Sequence, residues 1–208
     1  LVVSSVLSAV GLAFLAVTSP MLDVDHIRIV GAQHVTLAQV RAASSVHVHD
    51  HLLFVDAGAA ARRIEELPWV EHATVVRDFP GTVKIRITEY TPTAYVKVAN
   101  GVMLVAANGH VIAHASVIPA NSIEVRGVRQ PPAPGDLLSP PDAAGIVAHL
   151  PAALAHSVAA VDVSGSGVAL DLIAGGEIRF GDTSDLAAKA ASALAVLAHL
   201  GTAHFTYI

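Results

Sequence analysis

Residues 1–22 form an uncharged, apolar block, LVVSSVLSAVGLAFLAVTSP followed by Met21-Leu22, broken only by scattered Ser and Thr. About 20 such residues in a helix cross a bilayer core, and a buried helix of a soluble domain would carry a polar stripe that this run lacks. The pattern predicts a transmembrane anchor over residues 1–22, and without an initiator Met the anchor is expected to be incomplete at its N-terminus. A cleaved signal peptide is the rival reading. It calls for a basic leading region and a small-x-small cleavage site, and neither is visible. Asp23 and Asp25 follow the block and the first basic residue is Arg28. That acidic exit places the rest of the chain on the external side, since cytoplasmic flanks favour Lys and Arg.

Beyond the block, the pattern predicts strand, helix, helix, strand, strand. Val24 to Val30 reads as a strand closed by Gly31. Thr36 and Gln39 have the spacing of a capping box, and Val35 and Val40 that of a hydrophobic staple, for a short helix to about Ser44. Asp56 caps a second helix in which Ala57, Ala60, Ala61, Ile64 and Leu67 share one face. Arg62, Arg63, Glu65 and Glu66 are expected to point away from it, and Pro68 ends it. Ala73, Val75 and Arg77 then alternate with Thr74 and Val76, and Val83, Ile85 and Ile87 with Lys84, Arg86 and Thr88. Pro80-Gly81 supplies the turn between these two strands.

From Thr91-Pro92 onward the strands are short and the turns explicit: Asn100-Gly101, Asn108-Gly109, Ser164 to Gly167 and Gly175-Gly176. A proline-rich stretch, Pro131 to Pro141, is expected to separate the first hairpins from one helix over about Asp142 to Leu154. Val168, Leu170 and Leu172 alternate with Ala169 and Asp171, and Ile178 with Phe180 continues the pattern. A closing helix from about Asp185 to Leu200 carries an apolar stripe of Leu186, Ala190, Ala193, Leu194 and Leu197, with Gly201 as its C-cap. His204-Phe205-Thr206-Tyr207-Ile208 reads as a last strand.

Composition narrows the chemistry. The formal net charge is −5 and 12 residues are Lys or Arg, with no basic cluster, which excludes a nucleic-acid role. Without cysteine there is no disulfide framework and no thiolate metal site. No nucleophile elbow, P-loop, dinucleotide fingerprint or metalloprotease helix motif occurs, and Gly165-Ser166-Gly167 reads as a hairpin turn between Val163 and Val168. His47, His49 and His51 alternate. On a strand they would share a face able to hold zinc or copper, as in a metal-dependent envelope enzyme; otherwise they form an exposed polar connection between the helices. Trp69 packs the second helix on the sheet or offers a partner an exposed aromatic. Lys189 is a solvated helix residue or an interface contact. The strand 204–208 is internal, or it lies at a sheet edge where its amides and carbonyls accept a partner's strand.

Taken in order, Val30-Gly31, Leu67-Pro68-Trp69-Val70, Arg77 with Phe79-Pro80, Glu89 with Pro92-Thr93-Ala94, and Gly176 to Gly181 followed by Lys189 resemble the FtsQ family of bacterial cell-division proteins (DivIB in some lineages). The likeness covers close to the whole chain. It departs at Tyr90, where the family often has Arg, at Ala106, where it often has Asp, and at the last strand, which usually continues past Ile208.

The resemblance implies an α+β chain: an N-terminal transmembrane helix (1–22), a POTRA-like β-α-α-β-β domain (23–91), then a β-rich domain with helices and a C-terminal helix-strand (92–208). It implies a single-pass protein of the cell membrane at the division septum, with a cytoplasmic N-terminus and extracytoplasmic domains. The implied function is a divisome scaffold that recruits FtsB and FtsL, and through them the septal synthase FtsW–FtsI. His204, Phe205, Thr206, Tyr207, Ile208 and Lys189 are the expected partner-binding residues. No cofactor, metal, small-molecule substrate or catalytic residue is implied. The alternative is a POTRA-type chaperone module for membrane-protein insertion or secretion.

Overall fold

A computed structural model describes residues 22–128, 133–139, 142–164, 167–182, 184–200 and 207. The predicted anchor falls almost wholly outside these residues. Among the described residues, no helix is long and apolar enough to cross a membrane. The chain divides into two compact units, the first ending at Glu89 and the second beginning at Tyr90.

The first unit runs β1 (His26–Val30), α1 (Leu37–Ser44), α2 (Ala57–Glu65), β2 (Val70–Asp78), β3 (Thr82–Glu89). Its sheet has the order β1-β3-β2, with β1 parallel and β2 antiparallel to β3. The strand alternation is realised: Ala73, Val75, Val83, Ile85 and Ile87 are buried, while Val76 and Arg86 lie outside. Both helices close this core through Val40, Ala60 and Ile64. The Thr36 capping box forms, Asp56 accepts the Ala59 amide at 2.9 Å, and Val35 and Val40 of the staple are buried. Trp69 takes the packing role, half-buried against the core with the His34 ring stacked on it at 3.9 Å.

Two side chains expected to point away are engaged. Arg63 donates to the carbonyls of Ala43 (3.3 Å) and Ser44 (2.7 Å), which the end of α1 leaves without helical donors. Glu65 accepts the Ala73 amide of β2 at 3.0 Å. The alternating histidines do not share a face either. Residues 47–50 form a turn with His49 at φ +74°, and the His47 amide donates to Asp50 at 2.7 Å. Among the described residues, no group of three His, Asp or Glu is arranged to hold a metal ion.

Glu89 ties this unit together. From the end of β3 it accepts the amides of Gln33 (2.8 Å), His34 (2.9 Å) and Val35 (3.0 Å), the turn leading into α1, and it meets His34 Nδ1 at 2.8 Å. Burial disfavours its charge, but the hydrogen bonds from Val35, Gln33 and His34 outweigh that and hold its pKa below the ordinary carboxylate value.

The second unit contains β4 (Pro92–Val98), β5 (Gly101–Ala106), β6 (Val111–Ala115), β7 (Ile123–Arg126), α3 (Asp142–His149), α4 (Ala152–Ala155), β8 (Val158–Ser164), β9 (Gly167–Leu172), β10 (Glu177–Gly181) and α5 (Leu186–Leu200). One sheet holds all seven strands in the order β10-β9-β8-β7-β4-β5-β6. The single helix expected over 142–154 is two, because Pro151 has no amide to continue it. The proline-rich stretch does more than separate elements. Gly135 and Asp136 pair with Val111, Leu138 donates to Gly109, and the Leu138 side chain is fully buried in the core.

Replacing Glu89 with Gln should destabilise the first unit by about 1–3 kcal/mol, because three amides of the turn before α1, that of Val35 half-buried, lose a charged acceptor. A carboxyl depressed by folding contributes in full above its unfolded value and loses that contribution as pH falls through its folded value. The urea midpoints of wild type and Glu89→Gln should therefore differ at neutral pH and converge on acidification below about 4.5.

Candidate partner-binding edge

Among the described residues, β10 is an outer strand of the seven-stranded sheet, paired antiparallel with β9. Gly175 and Gly176, both at positive φ, make the β9–β10 turn. Along β10, Ile178 and Phe180 enter the core, leaving Glu177 and Arg179 on the other face. The Arg179 guanidinium donates to both oxygens of Glu177, at 3.0 and 3.2 Å. This pairing lowers the Glu177 pKa and raises that of Arg179.

Tyr207 lies beside this strand. It forms a parallel bridge with Glu177, and Arg179 sits over its ring, 4.9 Å from the centroid. With 63% of its surface exposed, the tyrosine is held by strand pairing and a cation–π contact, not by burial. His204, Phe205, Thr206 and Ile208, and the Gly201 cap, lie outside the described residues.

Lys189 borders the same strand from α5. Its ammonium donates to the carbonyl of Asp182 at 3.0 Å and to the Asp182 carboxylate, tying the exit of β10 to the helix. The Lys189 hydrogen bond, helped by those of Ser184, holds the Asp182 pKa at about 2. Behind it, Ala190 and Ala193 bury the face of α5 that packs on the core. The described pair Lys189 and Tyr207 thus both border β10.

A second charged row crosses the open face of the sheet. Glu124 of β7, only 7% exposed, accepts from Lys97 of β4 at 2.8 Å and from Arg126 at 3.0 and 3.2 Å. Arg126 also reaches Asp171 of β9 at 2.6 Å. Burial opposes the charge on Glu124, but Arg126 and Lys97 hold its pKa down. Glu177, Arg179 and Glu124 were not singled out from sequence. An acid and an arginine two apart on a strand, as in Glu124-Val125-Arg126 and Glu177-Ile178-Arg179, were the available signal.

Residues 22–90 match a family model described as the FtsQ-type POTRA domain. A cell division protein FtsQ from Corynebacterium glutamicum is 35% identical over 108 residues, covering 52% of this chain and 48% of the relative. FtsQ from Mycobacteroides abscessus is 32% identical over 202 residues, covering 97% of this chain and 64% of the relative. FtsQ from Streptomyces collinus is 29% identical over 211 residues, covering 96% and 80%. The chain therefore spans about half of the Corynebacterium protein and 64% of the Mycobacteroides protein.

Lys189→Met should release Asp182, whose pKa should rise from about 2 toward 3.8. An NMR titration of the Asp182 side-chain carboxyl carbon measures this directly. An unchanged low value would mean that Ser184 alone holds the carboxylate.

Proposed function

Because the chain belongs to the FtsQ family of bacterial cell-division proteins, we propose that it is a membrane-anchored scaffold of the division machinery that holds FtsB and FtsL. Residues 1–22 supply the anchor in this reading, with both folded units outside the cytoplasm and FtsW–FtsI reached indirectly. Its work is recruitment: confinement to the membrane raises the concentration of its sites for other anchored proteins.

The observation that carries the proposal is the edge at β10. Tyr207 already forms a strand-type bridge there while remaining largely exposed. A partner strand laid along 204–208 would gain main-chain hydrogen bonds, and Phe205, Tyr207 and the Glu177–Arg179 pair would give side-chain selectivity. Lys189 acts at this edge by fixing the β10–α5 connection. The likeness to relatives runs through the second unit as well as the first, which favours a division scaffold over a general POTRA chaperone module.

The test is binding of the full chain in detergent to the FtsB–FtsL pair of the same organism. Tyr207→Pro removes an amide and blocks strand pairing, so affinity should fall by about tenfold or more. A folded wild-type chain that binds neither protein would overturn the reading.

A further inference from the structure

The first unit has an open edge of its own. β1 pairs with β3 and has no other strand neighbour among the described residues. The amides of Asp25 and His26 both turn inward to the Gly81 carbonyl, at 2.7 and 3.1 Å, and from His26 onward the parallel register with Thr82–Arg86 leaves the amides of Ile27 and Ile29 facing away from β3. The opposite edge of this sheet differs, since Glu65 already takes the Ala73 amide of β2.

A groove of ≈ 650 Å³ runs beside this edge. Ala42, Val46 and Val48 line one side with Arg41, and His26 and Arg28 belong to the other. Val48 is 49% exposed, an apolar surface beside unpaired amides. Arg28 and Arg41 make no hydrogen bond or ion pair among the described residues. Among the described residues, Asp25 is the only acid in the lining, and His47 adds a further imidazole.

We propose that this edge docks an extended segment of another protein whose residues alternate apolar and acidic. Laid along β1, such a strand would bond to the main chain of Ile27 and Ile29. Its apolar residues would meet Val46 and Val48, and its acids on the other face would meet Arg28. A second copy of this chain fits poorly: two β1 strands paired antiparallel about their centres would set Arg28 against Arg28. The proposal does not rest on the β10 edge or on the division role.

Amide hydrogen exchange of the full chain in detergent tests it, with a capped octapeptide of alternating Val and Glu as probe. At saturating peptide, exchange at Ile27 and Ile29 should slow by about tenfold or more. The double variant Arg28→Glu/Arg41→Glu should lose this protection while amides of β3 keep wild-type exchange, which shows that it is folded. No slowing, or equal slowing by an alternating Val-Lys octapeptide, would overturn the proposal. So would protection that grows with protein concentration in the absence of peptide, the mark of a second copy. Protection by phosphatidylglycerol vesicles but not by the peptide would assign the groove to a lipid surface instead. Neither result touches binding at β10, which these amides do not report.

Discussion

An open sheet with one buried face must end in strands whose outward amides and carbonyls find no partner in the sheet. Both units of this chain are built around that constraint. In the first, Val75, Val83, Ile85 and Ile87 fix which face is buried, and a slip of one residue would expose all of them. In the second, Val168, Leu170, Ile178 and Phe180 do the same for β9 and β10. Among the described residues, β1 and β10 each end a sheet.

The remaining polar demands are met by a few carboxylates that act across long sequence separations. Glu89 closes the turn before α1 from the far end of β3, and Glu65 covers an amide of β2. Glu124 sits almost buried between Lys97 and Arg126, so its charge is compensated on both sides. A buried carboxylate without such partners would cost more than its packing returns. These contacts let the sheets keep charged residues on their open faces without leaving a charge stranded.

What could be read from the sequence was local. The Thr36–Gln39 box, the Asp56 cap, the stop at Pro68 and the alternation through β2 and β3 each depend on residues a few positions apart. The division of the helix at Pro151 was also written locally, but the apolar run around it masked the break. Pairings over distance were not legible. β7 is four residues long, and it joins β4 and β8 in parallel through connections that carry no periodic signal. The Glu89 clasp spans more than fifty residues, so it emerges only once β3 is placed beside the turn. At the β10 edge, the sequence drew attention to Tyr207 and Lys189 but not to Glu177 and Arg179. The alternation of Glu177, Ile178, Arg179 and Phe180 identifies a strand and does not say that the strand ends a sheet.

The β1 and β10 edges differ in how their charges are balanced. At β10, Arg179 is already neutralised by Glu177 and leans on Tyr207, so this edge presents an aromatic surface with little net charge. At β1, Arg28 and Arg41 stand uncompensated beside exposed valine. A cation on an edge strand protects against self-pairing, because it opposes itself when two copies meet. The same cation attracts any strand that brings an acid to that position. A feature that keeps copies of the chain apart is thereby also one suited to an acidic partner, as proposed for β1.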